Sequence, residues 1–499
     1  MAEKTKPAVL LIGGLDPQGV AGLTADIQTV SQLGGHPVPL VTCLTEQTSA
    51  GLHALQPLSA ASFAAQLKCC TADFEIKAVK IGLLPNAEIA QMVADWLSVQ
   101  SVPVVLDPVL AASSGGQTVE QDVTDIIRNQ LLPKITLLTP NLPELKQLAG
   151  EGDKAQLITT LRQKGLAACL LKGGHDTSTV SSDVYQDNSE QFYLTTPRYD
   201  FAVRGTGCVL AAATATFLAS GFDNREAVVL ARSYLHQGYQ KAETLGPYRT
   251  ISHQPSKLSR QILPALHTAQ SAIGKRHVFP RCPARLGIYP VVDSVEWLGK
   301  CLAEGIRTIQ LRLKTDDKPY AAAQIVKAVS VASQYPDSRL FINDHWQQAI
   351  EAGAYGVHLG QEDLFDADLA AIANSGLRLG ISTHSYWELA RALTINPSYI
   401  ALGPVYATDS KQMPWQPQGN VKVTEWQGIL EDIPLVAIGG IDVSRAKALK
   451  ATGVGSVAMI SAITKAADYQ AVCRDLLILW PETAGQGSAL DQAVQRISM

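Results

Sequence analysis

The chain has 499 residues, of which 46% are hydrophobic and 17% charged, as is typical of a globular protein with a large apolar core. This length is long for one domain and favours two or three. Its 41 basic and 45 acidic side chains give a net charge of −4 without a basic run, which argues against nucleic-acid-binding and membrane-surface proteins.

The start of the chain, MAEKTKPAVLLIGG, has too short an apolar stretch for a secretory signal. The apolar residues 208–221 are also well short of a membrane-spanning helix. The cysteines show no C-x-x-C or metal-ligand spacing, and most fall in apolar strings typical of buried thiols: Cys43, Cys69, Cys70, Cys169, Cys208, Cys282, Cys301 and Cys473. A cytoplasmic protein is expected.

In the first half, short apolar runs rich in Val, Ile and Leu alternate with segments of helical spacing. The runs are AVLLIGG, HPVPLVTCL, AVKIGLL, VPVVLDPV, ITLLTPN and AACLLKGG. Such alternation predicts a doubly wound, parallel α/β sheet covered on both faces. Function in these sheets gathers at the carboxyl ends of the strands. Asp107, Asn141 and Lys172, which stand at the ends of these runs, are therefore candidate site residues.

The segment RGTGCVLAAATATFLASG, residues 204–221, places a glycine turn before an apolar run of helical composition. Gly205 and Gly207 flank Thr206, and Cys208 stands where the helix is expected to begin. Backbone N–H groups at a helix start carry partial positive charge and can hold a phosphate. The residues alone leave a second interpretation open, an ordinary turn before a buried helix.

Residues 246–284 form a Pro/Ser-rich stretch of mixed charge that indicates a linker with some helical content in its middle. Eight strand-like runs follow, each before a helix-compatible stretch: LGIYPVV, TIQLRL, RLFIND, GVHLGQ, RLGIST, YIALGPV, PLVAIGG and SVAMIS. Eight βα units in this space predict a small (β/α)8 barrel. The predicted domains are residues 1–245 and 285–499, with the linker 246–284 between them.

Polar residues cluster at the strand ends of the predicted barrel. Gln310, Arg312 and Lys314 alternate in QLRLK and therefore face one side of the second strand. Asp344 and Asp363 follow the third and fourth strands, and two carboxylates beside a Lys/Arg pair suit a Mg²⁺–pyrophosphate site. The alternative for any single one of these residues is an ordinary solvent-exposed side chain at the barrel rim. The convergence of these residues from several strand ends argues against that alternative. The other strand ends add Asn343, Thr408, Ser410, Lys411, Gly439, Gly440 and Ser461.

The motifs YPVVD, QLRLK, FIND, HLGQED, GISTH, ALGPVYATDSK and AIGGI, between residue 286 and about 465, resemble thiamine phosphate synthase. That family condenses hydroxymethylpyrimidine pyrophosphate with hydroxyethylthiazole phosphate and releases pyrophosphate. The resemblance implies that Asp344 and Asp363 hold Mg²⁺ and that Gln310 contacts the pyrimidine. It assigns the thiazole phosphate to Gly440, Ile460 and Ser461. It assigns the pyrophosphate to Arg312, Lys314, Asn343, Ser382, Thr408, Ser410 and Lys411, with Arg312 and Lys411 stabilising its developing charge.

The motifs GGLDPQGVAGLTADIQT, KIGLL, LDPVL, TPNLPE, LKGGH and RGTGC, from residue 7 to about 245, resemble hydroxymethylpyrimidine/phosphomethylpyrimidine kinases of the ribokinase-like superfamily. Chains that fuse this kinase to the synthase are known. The resemblance implies ATP as co-substrate with Mg²⁺, and Asp26 and Gln47 as ligands of the aminopyrimidine. The resemblance also assigns the binding of the phosphates and Mg²⁺ to Asn141, Glu144, Lys172 and Asp107. It implies that the N–H groups of residues Gly205 to Cys208 face the transferred phosphoryl group.

Cys208 occupies the position where many relatives of this kinase carry an aspartate base. A thiol at a helix N-terminus has its thiolate favoured. Cys208 is therefore expected to complete the anion pocket, and a role as base stays open.

Six residues depart from the kinase pattern: Leu15, Gln18, Val20, Thr24, Leu83 and Arg204. Val20 replaces a glycine, so its φ is expected to be negative, with the bends supplied by Gly19 and Gly22. The departures leave two alternatives beside a bifunctional enzyme: a kinase for pyridoxal-type substrates, or a degenerate binding or oligomerisation module on a working synthase. For either kind of enzyme, small-molecule substrates are expected. Neither nucleic acid nor a membrane is expected as a partner, and the sequence leaves a homo-oligomer open.

Overall fold

The computed structural model describes residues 5–48, 51–110, 120–174, 179–254, 257–408 and 416–481. The chain divides into two compact units, Met1–Ile273 and Gly274–Met499. In the described ranges, every helix is too short or too polar to cross a membrane.

The first unit alternates strands and helices. Its strands are β1 (Ala8–Leu15), β2 (His36–Thr48), β3 (Gly51–Pro57), β4 (Ile76–Ile81), β5 (Val104–Leu106), β6 (Leu137–Leu138), β7 (Cys169–Leu171), β8 (Val180–Gln186), β9 (Gln191–Pro197), β10 (Glu243–Leu245), β11 (Tyr248–Thr250) and β12 (Ala265–His267). Its helices are α1 (Gly22–Gln32), α2 (Ala60–Asp73), α3 (Ala87–Leu97), α4 (Gln121–Ile126), α5 (Leu142–Ala149), α6 (Lys154–Gln163), α7 (Thr206–Ala219) and α8 (Asn224–Gln240).

The strands of the first unit form a ten-stranded sheet in the order β12-β9-β8-β7-β6-β5-β4-β1-β2-β3. The six neighbours from β7 to β2 are parallel, as the apolar runs predict. Antiparallel strands extend both edges, with β3 on β2 and with β8, β9 and β12 beyond β7. The predicted doubly wound sheet is therefore confirmed, with antiparallel margins that the sequence analysis did not predict.

Helices cover both faces of this sheet. The side chains of β1 alternate between two apolar clusters: Leu10 and Ile12 belong to one, and Val9 and Leu11 to the other. The first cluster includes residues of α3, α5 and α6, whereas the second includes residues of α1 and α7. Because successive side chains of a strand point to opposite faces, β1 is buried on both sides.

Part of the predicted linker belongs to the first unit. Strand β12 pairs antiparallel with β9, and β11 pairs with β10 in a short hairpin. The predicted domain limits, 1–245 and 285–499, remain a prediction, and the described structure places ordered strands inside the predicted linker.

The second unit is a closed barrel of eight parallel strands, and each strand matches one predicted run. The strands are β13 (Gly287–Val292), β14 (Thr308–Leu311), β15 (Arg339–Asn343), β16 (Gly356–Leu359), β17 (Arg378–Thr383), β18 (Tyr399–Leu402), β19 (Leu435–Ile438) and β20 (Ser456–Met459). The helices are α9 (Val295–Ala303), α10 (Lys318–Ala332), α11 (Trp346–Ala352), α12 (Leu369–Asn374), α13 (Tyr386–Ile395), α14 (Gly419–Leu430), α15 (Val443–Leu449), α16 (Ser461–Thr464) and α17 (Tyr469–Leu479). The predicted (β/α)8 fold is confirmed.

Large aromatic side chains fill the barrel interior opposite small ones. Tyr289, Phe341 and Tyr399 pack in one buried cluster with small residues such as Ala401. Gly380 of β17 makes room for one of these rings, because a Cβ there would lie 2.1 Å from Cζ of Tyr399. The barrel is thus a packed core in which one missing side chain accommodates a tyrosine.

Replacing Gly380 by alanine is expected to destabilise the barrel by about 2–3 kcal/mol, because a buried methyl group would force a packed ring to move. Gly428 is the control, since it is an exposed glycine in α14 with open space around its Cβ position. Gly428→Ala should leave stability unchanged or raise it by up to ~1 kcal/mol. Denaturant unfolding measures both variants, and equal effects would contradict the packing argument.

Candidate active sites

An ion pair lies at the carboxyl ends of two parallel strands in the first unit. Asp107 directly follows β5 and Lys172 directly follows β7, and Nζ of Lys172 lies 2.6 Å from Oδ1 of Asp107. Oε2 of Glu144 lies 3.8 Å from the same ammonium. Burial disfavours the charged form of Lys172, but the two carboxylates outweigh it and raise the lysine pKa. The structure therefore brings three predicted site residues together.

Asn141 and Glu144 form a capping box at the start of α5. The Glu144 amide donates to Oδ1 of Asn141 (2.8 Å), and the Asn141 amide donates to Oε2 of Glu144 (2.7 Å). Two helix-end donors are satisfied in this way. Burial raises the pKa of Glu144, although Lys172 opposes the shift. The box thus holds a carboxyl group rigidly beside the ion pair.

The glycine turn before α7 faces this ion pair. A Cβ at Gly207 would lie 3.2 Å from Oδ2 of Asp107 and 3.4 Å from Nζ of Lys172. Gly205 has φ +76°, and a Cβ there would lie 2.3 Å from the carbonyl oxygen of Val20. Helix α7 begins at Thr206, two residues before the predicted start at Cys208. The first turn of α7 therefore lies against the charged groups of the ion pair.

The pKa of Cys208 shifts in the direction opposite to the one expected from its helix position. Burial raises the pKa of this thiol to about 11, and Lys80 opposes the shift only in part. The direction is opposite to the expectation that the thiolate is favoured, because burial and the nearby Asp26 and Asp107 carboxylates outweigh Lys80. The shift favours the protonated thiol.

The sequence analysis missed a second ion pair, which joins α1 to the sheet. Nζ of Lys80 on β4 lies 2.7 Å from Oδ2 of Asp26, and both side chains are at most 2% exposed. Oδ1 of Asp26 is buried and has no hydrogen-bond partner among the described residues. Burial raises the pKa of Asp26 to about 6, although Lys80 lowers it in part. The only signal of this pair in the sequence is the lysine inside the apolar run AVKIGLL.

Arg204, one of the residues that depart from the kinase pattern, contacts Gln47. Nη2 of Arg204 donates to Oε1 of Gln47 (3.1 Å), and Nη1 donates to the carbonyl oxygen of Thr48 (3.2 Å). The Arg204 guanidinium lies over the ring of Tyr248, at 5.1 Å from its centroid, and the Tyr248 hydroxyl donates to Gln18. The amide of Gln47 is therefore oriented by a residue that the family pattern lacks.

Val20 adopts the backbone conformation that the sequence predicts. Gly19 and Gly22 have φ of +78° and +54°, whereas Val20 is not among the non-glycine residues of positive φ. Its amide donates to Oδ2 of Asp16 (3.2 Å). The expectation that glycines on either side supply the bends is confirmed. Leu15 and Leu83 are partly buried in the two apolar clusters of the sheet.

In the barrel, two predicted residues from neighbouring strands bond to each other. Nε2 of Gln310 on β14 donates to Oδ1 of Asn343 on β15 (2.7 Å), and both side chains are buried. Arg312 and Lys314 follow on from β14 and are half-buried and exposed, respectively. The pair thus lies at the rim where the second and third strands end.

The two predicted metal-binding carboxylates follow adjacent strands. Asp344 has φ +63°, and its amide donates to the carbonyl oxygen of His358 on β16 (3.1 Å). Oδ2 of Asp363 accepts from the Gly360 amide just after the same strand (3.0 Å). In the described ranges no three His, Cys, Asp or Glu side chains form a metal cluster. A pair of carboxylates is the donor set that suits Mg²⁺ completed by phosphate oxygens.

Ser382 near the end of β17 bonds to a residue that the sequence analysis missed. Its Oγ lies 2.8 Å from Nε2 of His358. Burial, together with Arg312, lowers the pKa of His358 to about 3, so the imidazole is neutral at physiological pH. His358 lies inside the quoted motif HLGQED, but no polar neighbour in the sequence marks it as part of the site.

The remaining predicted residues lie at the last strand ends. Gly440 after β19 has φ +64°, and a Cβ there would lie 2.4 Å from the carbonyl oxygen of Ala407. Ile460 and Ser461 directly follow β20. Thr408 lies in the described loop after β18, whereas Ser410 and Lys411 lie outside the described residues.

Comparison with known proteins gives a match for each unit. Residues 16–253 match the family described as phosphomethylpyrimidine kinase, and residues 288–463 match the family described as thiamine monophosphate synthase. The thiamine-phosphate synthase of Salmonella newport is 54% identical over 199 residues, which cover 40% of this chain and 94% of that protein. The enzyme of the same name from Serratia proteamaculans is 53% identical over 201 residues, with the same coverage of both chains.

Two solved structures are also similar to the first half. The pyridoxal kinase of Staphylococcus aureus in complex with AMP-PCP and pyridoxal has a TM-score of 0.48 and 26% identity, covering 53% of this chain and 98% of that one. The phosphomethylpyrimidine kinase of Clostridium difficile has a TM-score of 0.41 and 27% identity, covering 46% of this chain and 98% of that one.

Lys80→Met is expected to lower the free energy of unfolding of the first unit by about 3 kcal/mol or more, because it leaves the Asp26 carboxylate buried without a partner. Lys77→Met is the control on the same strand, since Lys77 is 46% exposed and pairs with exposed Glu75; it should cost less than ~1 kcal/mol. Adding Asp26→Asn to Lys80→Met should recover part of the loss.

Hydrogen–deuterium exchange of β1 and β4 under increasing urea reports on the first unit alone. Equal loss of protection in the Lys77 and Lys80 variants would contradict the role of the buried pair.

Proposed function

The chain belongs to the thiamine-phosphate synthase family through its second unit and carries a phosphomethylpyrimidine kinase domain in its first, and on that premise we propose how each unit performs its reaction. The chain is a bifunctional transferase of thiamine biosynthesis. The first unit phosphorylates hydroxymethylpyrimidine and its monophosphate with ATP. The second unit condenses the resulting pyrophosphate with hydroxyethylthiazole phosphate to give thiamine phosphate and pyrophosphate.

The kinase proposal rests on one observation, the Lys172–Asp107 pair against the glycine turn of α7. Phosphoryl transfer depends mainly on positioning and on stabilising negative charge. The N–H groups from Gly205 to Cys208 and the Lys172 ammonium act on the transferred phosphoryl group. Asp107 and Glu144 supply the carboxylates for Mg²⁺, which neutralises phosphate charge when it is bound.

Asp26 and Gln47 are the proposed contacts to the aminopyrimidine. Oδ1 of Asp26 is buried and lacks a partner among the described residues, and in the proposed complex it accepts a hydrogen bond from the exocyclic amine. Above a pH of about 6 the carboxyl group is ionised, and Lys80 holds its other oxygen in place. Gln47, held by Arg204, completes the pair.

In the synthase, the proposed reaction begins with cleavage of the carbon–oxygen bond to the pyrophosphate, and the electron pair leaves with the pyrophosphate. Arg312 and Lys411 stabilise the departing charge. Asp344 and Asp363 would hold Mg²⁺, which would neutralise charge there when bound. Gln310 orients the pyrimidine. The other proposed pyrophosphate ligands are Lys314, Asn343, Ser382, Thr408 and Ser410, and the thiazole phosphate ligands are Gly440, Ile460 and Ser461.

The match of residues 16–253 to phosphomethylpyrimidine kinase supports this function and gives no support to a degenerate module or to a kinase for pyridoxal-type substrates. The kinase family uses ATP with Mg²⁺ and the synthase family uses Mg²⁺, and binding of these groups by the residues named above is proposed here. A cytoplasmic location and the small-molecule substrates named above complete the proposal.

Asp344→Asn or Asp363→Asn should lower thiamine phosphate formation by about 10²-fold or more, because each removes a proposed metal ligand. Phosphorylation of hydroxymethylpyrimidine by the same variants should continue, since these residues lie in the other unit. Chromatography of both products from one protein preparation measures the two activities. Full synthase activity in the double variant would refute the metal assignment.

Cys208→Ser is expected to lower the kinase rate only a few-fold, because burial favours the protonated thiol and a hydroxyl preserves its size. Loss of a general base would cost about 10²-fold or more. Cys70→Ser, which alters a half-buried thiol on α2, controls for removing a sulfur. A loss of about 10²-fold in ADP formation would restore Cys208 as the base.

A further inference from the structure

Four hydrogen-bonded side chains cross the interior of the barrel. The hydroxyls of Tyr289 and Tyr399 lie 2.7 Å apart, and the Tyr399 hydroxyl lies 2.7 Å from Nδ1 of His358. Nε2 of His358 then meets Oγ of Ser382 at 2.8 Å. Tyr289, Tyr399 and His358 are at most 7% exposed, whereas Ser382 is half-buried. Ser382 is the member that reaches solvent.

The chain of bonds runs toward the carboxyl ends of the strands. Tyr399 is the first residue of β18, and Ser382 is the last but one of β17. The ring of Tyr399 is fixed by packing: it stacks on His358 at 5.6 Å and occupies the space that Gly380 leaves free. These side chains therefore hold one geometry and link the barrel core to the proposed pyrophosphate site.

The direction of these bonds follows from counting donors. Both ring nitrogens of the buried His358 bond to hydroxyl groups, not to a carboxylate, so no negative charge supports a second ring proton, and the neutral imidazole has one donor and one acceptor. If Nδ1 carried the proton, Tyr399 would accept from it and donate to Tyr289. The Tyr289 proton would then have no acceptor, since Tyr399 is its only hydrogen-bond partner among the described residues. An unpaired buried donor is costly.

The opposite direction gives every buried donor of these four side chains an acceptor. Tyr289 donates to Tyr399, Tyr399 donates to Nδ1, and the proton on Nε2 is donated to Ser382. The Ser382 oxygen then accepts inside the protein and its own proton is free. A free O–H at this point can bind an oxyanion, whereas the reverse direction would present lone pairs to it.

We infer that the Tyr399 hydroxyl, by donating to Nδ1, sets the tautomer of His358, and that His358 is a positioning residue that leaves the Ser382 proton free for the pyrophosphate group of the substrate. The inference rests on the proposed function in taking Ser382 as a pyrophosphate ligand. The direction of the bonds is a property of the protein alone and is tested without substrate.

The tautomer of His358 is read from nitrogen chemical shifts of the full chain labelled with ¹⁵N-histidine, the His358 signals being those lost in His358→Asn. The wild-type protein should show a protonated Nε2 and a bare Nδ1. Tyr399→Phe removes the donor to Nδ1, so both tautomers should become populated. The reverse tautomer in the wild type, or an unchanged tautomer in Tyr399→Phe, would overturn the inference.

Steady-state kinetics test the consequence for binding. Tyr399→Phe should raise KM for hydroxymethylpyrimidine pyrophosphate roughly 3- to 10-fold, the loss expected when one hydrogen bond to a charged group is partly withdrawn. Tyr355→Phe is the matched control, because Tyr355 packs on Phe341 in the same cluster outside the hydrogen-bonded chain; it should change neither KM nor the tautomer.

The two proposals fail in different ways. An unchanged KM in Tyr399→Phe with altered tautomers would overturn the positioning role of His358. A wild-type protein without condensation activity would instead refute the proposed function, while its nitrogen shifts would still decide the direction of the bonds.

Discussion

Polar side chains buried in an apolar interior must form hydrogen bonds or ion pairs with one another, and both units depend on this requirement. In the first unit it pairs Lys80 with Asp26 and Lys172 with Asp107, so that α1 and strands β4, β5 and β7 are joined by charge at the edge where the strands end. In the barrel it joins His358 to Ser382 and to two buried tyrosines. Because an unpaired member would be costly, these groups hold their positions before any substrate binds.

The fold was predictable to the extent that its strands are buried on both faces. The near-continuous apolar runs of β1 and of the barrel strands can be recognised as strands from the sequence. A strand that is covered on both faces carries apolar residues at successive positions and does not alternate them with polar ones. The antiparallel margins were not predicted. Strand β8, VSSDVYQ, is mostly polar and half-buried, and β12 lies within a Pro/Ser-rich stretch. Their identity as strands depends on distant partners in the sheet, which local composition does not specify.

The candidate sites were predictable where chemistry and strand ends coincide. Asp107, Lys172 and Glu144 meet as expected, because parallel strands bring their carboxyl ends to one edge. Lys80 and His358 were missed because each lies within a strand, and the sequence does not say what faces a strand side chain across the interior. Cys208 shows the limit of local reasoning: the helix start favours a thiolate, but burial by the surrounding fold dominates.

The central claim is that one chain performs all steps from hydroxymethylpyrimidine to thiamine phosphate, and the most direct test is the stoichiometry of the complete reaction. The full chain is given hydroxymethylpyrimidine, hydroxyethylthiazole phosphate, ATP and Mg²⁺, and ADP and thiamine phosphate are quantified together. The account predicts one ADP for each of the two phosphoryl transfers that precede every thiamine phosphate formed. Thiamine phosphate that appears only when hydroxymethylpyrimidine pyrophosphate is supplied, with no ADP formed from hydroxymethylpyrimidine, would contradict it.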